Sequence, residues 1–395
     1  MENIKDKVAI IGMGCSKFGA EYGMSGEDLM LAACGEALAD AGVEPKDVDG
    51  GWFGTFRSGG TGQTLARALK LQYIPIARIE DECTTGTETF RGGVYGILTK
   101  VYDIVLACAM EKESDYGEWA VGLDVDQNPA TRVSVGVSAA GSLALTATRY
   151  FYKYGLSLEQ GKELLAWIVV KNRHNGALNP KAYLQEEVRL EDVLNAPMVA
   201  WPLGELDYAK HADGATAAIL VATDRAKNFR HKDDYVLVKA IGGAVGSGQG
   251  KTKQSYDFVH FEEAVASAKQ AYEGAGIRDP LKELSVAMVH DSTSLTELVA
   301  YEDLGFAPRG RAKELVSTGA FDLGGQLPVN TDGGLLAFGH PTGATGMRQI
   351  YEAYLQLQGR AGNRQVKNAS IALTHNQSNA PGSMTCNVCV FGKPS

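Results

Sequence analysis

No run in the 395 residues approaches the roughly 20 consecutive apolar positions that a membrane-spanning helix needs, so the chain is expected to stay out of the bilayer. It also lacks any Lys/Arg-rich tract. With 38 basic against 47 acidic residues the formal net charge is -9, which opposes a polyanion, and nucleic acid is not an expected partner. Cysteine is sparse: six thiols over this length make no disulfide framework, and in a reducing compartment each is a packing residue, a ligand or a nucleophile. The charged segment Met1 to Lys7 runs straight into the apolar Val8 to Ile11 without the long apolar region of a secretory leader, so the expected location is cytoplasmic.

Proline is scarce and glycine abundant, 12 against 47, and the glycines sit mostly at the ends of apolar runs, where turns between strands and helices need them. This pattern predicts an α/β layered fold. Strands are expected at Val8 to Ile11, Ile104 to Ala107, Ala217 to Val221, Tyr235 to Ile241, Val286 to Val289, Ile371 to Leu373 and Val388 to Phe391, alternating with amphipathic helices. One helix is well marked: Ser25 and Asp28 make a capping box, Leu29, Ala33, Ala37 and Leu38 follow, and Gly42 ends it.

An offset of 234 takes Gly12, Gly14, Ala37, Ala41 and Gly42 onto Gly246, Gly248, Ala271, Ala275 and Gly276, which predicts an internal duplication. The halves are expected at residues 1–230 and 231–395, with an insertion in the first near 112–206. Two glycine motifs are decoys. The segment Gly246 to Thr252 lacks the glycine spacing of a phosphate-binding P-loop, and Gly12-Met-Gly14 lacks the third glycine of a dinucleotide fingerprint.

Cys83 lies between an apolar approach (Tyr73 to Ile79) and a helix expected to run to about Lys100. A thiol at a helix N-terminus meets unsatisfied N–H groups that favour the thiolate. In the other half, His340-Pro341 also opens a helix, in a segment stripped of side chains by Gly339, Gly343, Ala344 and Gly346. If the halves pack about a pseudo-twofold axis, the two helix starts meet and bring Cys83 to His340, a cysteine beside a base.

These residues resemble the thiolases, in particular the sterol-carrier-protein type and its archaeal and bacterial relatives. The resemblance spans nearly the whole chain and is carried by Gly339-His340-Pro-Thr-Gly-Ala-Thr-Gly346, His290-Asp291, His375-Asn376, Lys171 to Pro180, Trp201-Pro-Leu and Asp213-Gly-Ala. It implies a thiolase fold, with two βαβαβ halves in a five-layered αβαβα core and the inserted loop domain covering coenzyme A. It further implies thiolytic cleavage of a 3-ketoacyl-CoA, or the reverse Claisen condensation, with Cys83 acylated and His340 as base. His290 would hold the thioester oxygen or a water. His375 is the choice for a second acid/base, with Cys386 and Asn376 behind it. Backbone groups of Cys83 and Gly382 would form an oxyanion hole, and Arg173 and His174 would approach coenzyme A, the co-substrate in place of a bound cofactor.

The sequence departs from the family where Thr84-Thr85 follow Cys83, where Ser292-Thr293 follow His290-Asp291, and where Gln-Ser-Asn-Ala-Pro-Gly382 follows His375-Asn376. These neighbours shape the acyl pocket, so an unusual acyl group, for example the aromatic one of benzoylsuccinyl-CoA, is among the expectations. Cys386 and Cys389 form a C-x-x-C, but residues three apart on a strand point to opposite faces, and no metal site is expected. Cys15, Cys34 and Cys108 are expected to pack. A ketoacyl-synthase-like condensing enzyme, a thiolase-like aldolase and a non-catalytic scaffold are the alternatives. The resemblance also implies a homodimer or dimer of dimers and, in some relatives, a small zinc-ribbon and OB-fold subunit.

Overall fold

Each of the seven apolar runs forms a strand of the computed structural model, which describes residues 4–116, 138–248, 252–378 and 382–394; only Tyr235 and Val289, at the ends of two runs, fall just outside. The first half runs β1 (Val8–Cys15), α1 (Gly26–Ala41), β2 (Gly50–Gly54), α2 (Gly62–Leu69), β3 (Ile76–Ile79), α3 (Thr85–Leu98) and β4 (Ile104–Lys112). An inserted region follows, with α4 (Ala139–Lys153), α5 (Leu158–Ala177), α6 (Leu190–Leu194), β5 (Met198–Ala200) and β6 (Leu203–Gly204), before β7 (Asp213–Ala222) closes the half. The second half runs β8 (Val236–Val245), α7 (Glu262–Ala275), α8 (Pro280–Glu283), β9 (Val286–Met288), α9 (Ser294–Asp303) and α10 (Ala312–Ser317). It ends with α11 (Gly334–Phe338), α12 (Thr345–Gln358), β10 (Ile371–Gln377) and β11 (Thr385–Gly392). The strand β2, Gly-Gly-Trp-Phe-Gly, carries too little apolar patterning to be legible, although both its neighbours in the sheet are parallel strands.

The main-sheet strands lie in the order β3-β2-β4-β7-β1-β8-β11-β10-β9, and β1 meets β8 only through Ala9–Leu237 and Ile10–Val236. Three apolar cores separate the layers. One lies under α1 and α2 on the outer face of the first half-sheet. A second lies between the half-sheets, where α3 and α12 are buried, and a third under α7 and α9 on the outer face of the second. This is the five-layered αβαβα arrangement.

The duplication is present, with a correction to its register. The helices α1 and α7 do correspond at 234: Ala37 matches Ala271, and Gly42 and Gly276 both end their helices with φ of 71° and 84°. The strands correspond instead at 228, Val8 with Val236. A Cβ on Gly14 would lie 2.1 Å from the Ala33 carbonyl, and one on Gly242 would lie 2.0 Å from the Ser267 carbonyl, so these two glycines let the equivalent helix backbones approach. The matches of Gly12 and Gly14 with Gly246 and Gly248 are therefore coincidental, because the second half holds six more residues between strand and helix. Gly250 and Lys251 of the P-loop decoy lie outside the described residues.

The inserted region leaves at the end of β4 and returns at the start of β7, and its two ends are joined by the buried ion pair Lys112–Asp213 at 2.5 Å. Its helix α5 packs on α9, α10 and α11 of the second half. The Lys171 to Pro180 motif makes that joint. Lys171 pairs with Glu297 at 2.7 Å, Asn172 donates to Asp291 at 2.8 Å, and Asn175 and Asn179 donate to the carbonyls of Asn330 and Asp332, both at 3.0 Å.

Candidate active site

Helices α3 and α12 meet by their N-terminal turns, where Gly86 and Gly346 remove the side chains that would hold them apart: a Cβ on Gly86 would lie 3.1 Å from the Gly346 nitrogen. Cys83 sits in the short helical turn Glu82–Thr84 that enters α3. His340 sits at the end of α11, four residues ahead of Ala344, whose N–H and that of Thr345 close a turn on the Pro341 carbonyl. The helix thus starts at Thr345 and not at Pro341. His290 follows β9, and Asp291 beside it accepts from Leu335 and Leu336 N–H at 2.7 and 3.1 Å, which ties this loop to the start of α11.

One ligand atom each of Cys83, His290 and His340 lies within 4.8 Å of the others. The rings of His290 and His340 stand edge to face, 5.4 Å apart. Their hydrogen bonds give them opposite proton arrangements. His340 Nδ1 is 2.7 Å from the Thr345 hydroxyl, whose one proton goes to the Pro341 carbonyl at 3.0 Å, so Nδ1 donates and Nε2 keeps its lone pair. His290 Nδ1 is 3.1 Å from the amide nitrogen of Asn376, which can only donate, so Nδ1 accepts and Nε2 carries the proton. Asn376 is itself oriented by the Thr87 hydroxyl, which donates to its Oδ1 at 3.0 Å. The cluster presents a base, a donor and a half-buried thiol to one another.

Burial keeps both rings neutral. His340 is brought down to about 3 by burial first, then by His211 and Arg348, with the Glu113 carboxylate acting the other way. His290 is held well below the ordinary imidazole range by burial and by the neighbouring His340 and His375. Arg348 of α12, fully buried and paired with Asp332, adds a fixed positive charge near both.

The other expected residues are placed as follows. Asn376 is the side chain that β10 turns towards α3, and His375 stands on the opposite face of that strand, its Nδ1 accepting from His290 N–H at 3.4 Å. Burial brings His375 down to about 4. Cys386 faces the core under α7, and burial raises its thiol well out of the ordinary range. Cys389, on the other face of β11, belongs to the central core. Cys15, Cys34 and Cys108 are buried. Gly382 has φ 81° and its carbonyl accepts from Gly248 N–H at 3.0 Å; residues 379–381 before it are outside the described residues. Arg173 donates to the Glu186 carbonyl at 3.0 Å, and the exposed His174 lies 2.9 Å from Glu187. The structure thus brings together Cys83, His290, His340 and Asn376; His375 meets the His290 backbone from the other face of β10, while Cys386 lies in the core under α7 and Arg173 and His174 bond to Glu186 and Glu187.

Sequence reasoning missed three residues that hold the site. Glu111 accepts from the N–H groups of Phe56, Arg57, Ser58 and Gly343 at 2.6 to 3.0 Å, so one carboxylate joins the loop after β2 to the loop after His340. Glu113 accepts from Thr342 N–H at 3.1 Å, and His211 stacks on His340 with centroids 5.8 Å apart. The only signal for His211 was its place two residues before the Asp213-Gly-Ala motif, and no spacing links it to His340.

Two family models match the chain, "Thiolase, N-terminal domain" over residues 8–223 and "Thiolase C-terminal domain-like" over residues 244–392. The acetyl-CoA acetyltransferase of Methanothermobacter thermautotrophicus is 34% identical over 392 residues, 98% of this chain and 99% of that one. The benzoylsuccinyl-CoA thiolase subunit BbsB of Thauera aromatica is 29% identical over 376 residues, 94% of each chain. Among solved structures, the Ltp2-ChsH2(DUF35) aldolase matches with a TM-score of 0.85 at 26% identity, over 99% of both chains.

Proposed function

The chain belongs to the thiolase family of acyltransferases, in the branch of the sterol-carrier-protein thiolases and archaeal acetyl-CoA acetyltransferases, and from this premise we propose that it cleaves a 3-ketoacyl-CoA with coenzyme A through an acyl-Cys83 intermediate, or runs the same steps in reverse. The observation that carries the reading is the complementary protonation of the two histidines around Cys83.

His340 Nε2 takes the Cys83 thiol proton, and the thiolate attacks the 3-keto carbon. The alkoxide that forms is met by His290 Nε2–H, held in that tautomer by Asn376, together with the Cys83 backbone N–H. The C2–C3 bond then breaks. The shortened acyl-CoA leaves as an enolate and takes a proton from His340, and the acyl group stays on Cys83. Free coenzyme A gives its thiol proton to the now neutral His340, its thiolate attacks the Cys83 thioester, and Cys83 returns as the leaving thiolate, taking the proton back. Each proton removed by His340 is returned, so the cycle closes without a second base; His375 then supports His290 from behind. Gly382 would add to the oxyanion hole, and the region of residues 112–206, with Arg173 and His174, would cover coenzyme A between halves that divide near residue 230.

An aldolase is the second reading, favoured by the fold match to the Ltp2-ChsH2(DUF35) aldolase. That aldolase is a complex with a DUF35 protein, which supports a second, small subunit here, for which a zinc-ribbon and OB-fold protein is the proposal, and the half-exposed edge strand β3 suits a twofold-related copy of this chain. No helix among the described residues is long and apolar enough to cross a membrane, in keeping with the proposed cytoplasmic location. The test is intact mass of the parent and of Cys83→Ala after short, branched and aromatic acyl-CoAs, benzoylsuccinyl-CoA included, followed by free coenzyme A. An acyl adduct that needs Cys83 and is removed by the chase supports thiolysis and names the acyl class. Release of a carbonyl fragment with no adduct at any stage moves the assignment to the aldolase.

A further inference from the structure

We propose that His211 is a positioning residue for His340, its imidazole stacked on the base and held beside Glu113 so that the pair sets both the orientation and the proton affinity of His340. The inference rests on the acyl-transfer reading of the Cys83 site.

Three contacts carry it. The segment before β7 is bonded to the His340 backbone, with His340 N–H donating to the Lys210 carbonyl at 2.8 Å, so rings 211 and 340 leave adjacent backbones on one side. The rings lie 22° from parallel. One oxygen of Glu113 accepts from the Thr342 N–H and hydroxyl at 3.1 and 2.5 Å and lies 3.8 Å from His211 Nδ1, so a single buried carboxylate steadies both the loop after the base and the ring beside it. Its other oxygen is buried without a hydrogen-bond partner among the described residues. The His211 side chain keeps 35% of its surface in solvent, whereas His340 is buried; His211 is thus the part of this assembly that meets water.

The charged and titratable groups around His340 come from every element that meets it: Cys83 before α3, Glu113 after β4, His211 before β7, His290 after β9 and Arg348 on α12. Positive charge at residue 211 opposes a second proton on His340, and the Glu113 carboxylate favours one. His340 must take the thiol proton and give it up again within one turnover, so its affinity has to be limited in both directions. This pair supplies the opposed influences.

The experiment measures the acid limb of single-turnover acylation of Cys83 as a function of pH in the parent, His211→Phe, His211→Lys and Glu113→Gln. Phe keeps the stacked ring and removes the nitrogens, so His340 binds its proton more tightly and the limb moves to higher pH. Lys keeps a positive charge there, so the limb stays at or below that of the parent, and Gln removes the carboxylate, which moves it to lower pH by about 1 pH unit. His211→Ala, which abolishes the stack, is expected to lower kcat about tenfold with little change in KM, because the base loses its aim. Superimposable profiles, or Phe and Lys moving the limb the same way, would overturn the proposal, and the Phe and Lys pair decides it even if Glu113→Gln does not fold. Alkylation of Cys83 by iodoacetamide, read across the same pH range, needs no acyl donor. Opposite displacements there without any acylation count against thiolysis while leaving this proposal standing.

Discussion

Gly86 of α3 and Gly346 of α12 stand against one another in the central layer, and a Cβ on Gly86 would lie 2.7 Å from the Met347 nitrogen while one on Gly346 would lie 2.8 Å from the Thr87 nitrogen. Both of these atoms are backbone, which cannot swing aside, and at Gly346 the side-chain oxygens of Asn376 and Thr87 stand closer still, at 2.2 and 2.3 Å. The two residues are related by the duplication as well as by contact, so the halves meet tightly where equivalent helix starts cross, and Cys83 and His340 are brought together by it.

Gly86→Ala is accordingly expected to cost about 1–3 kcal/mol of stability through overpacking. Activity should fall more steeply than stability, because separating the helices also separates Cys83 from His340. Urea unfolding and initial rates on the same preparations check this; a variant as stable and as active as the parent would show that the crossing is loose.

Asn376 fixes which nitrogen of His290 carries the proton. Asn376→Asp puts an acceptor where a donor stood, turning the His290 proton inward to Nδ1 and leaving Nε2 a lone pair facing the alkoxide. Turnover is expected to fall by about 10²-fold or more, as for a lost oxyanion donor, and further than in Asn376→Ala. Alkylation of Cys83, which relies on His340, should change little. Equal rates in the Asp and Ala variants would remove the tautomer argument.

Glu111→Gln replaces one acceptor oxygen by an amide that faces N–H groups of Arg57 and Ser58 or of Phe56 and Gly343. The expected loss is about 3 kcal/mol, the scale of buried donors left unsatisfied. Thermal unfolding measures it, and an unchanged midpoint would mean that the loops after β2 and after His340 hold their places without this carboxylate.

Acid should weaken the fold through its buried neutral histidines. His340 and His375 are lowered from 6.5 to about 3 and about 4, chiefly by burial. Below about pH 6.5 the unfolded chain takes protons that these folded sites refuse, so stability present above that pH is lost as the pH falls towards the folded values, by about 1.4 kcal/mol per pH unit for each histidine. Asp303, raised to about 6 by burial, works the other way over part of the window but is common to parent and variant. His375→Gln should therefore show a shallower decline than the parent between about pH 6 and pH 4.5 in urea unfolding. Parallel declines would assign the acid sensitivity elsewhere.

Much was legible in the sequence because it depends on neighbours along the chain. Ser25, Asp28 and Gly42 cap their helix through contacts within a few residues, and Val8–Ile11 or Ile371–Leu373 read as strands because buried strands need unbroken apolar runs. The residue types at Cys83, His290 and His340 already specified a nucleophile and two imidazoles, and the repeat implied that helix starts would meet. What only the tertiary structure decided lies across the chain: Asn376 and not His375 meets Thr87 and the His290 ring because strand side chains alternate. The proton on each histidine is set by Thr345 or by Asn376, and Glu111, Glu113 and His211 join the site from the ends of strands more than a hundred residues from His340. A sequence specifies its local hydrogen bonds through spacing; partners separated by whole layers are selected by packing, and no spacing records them.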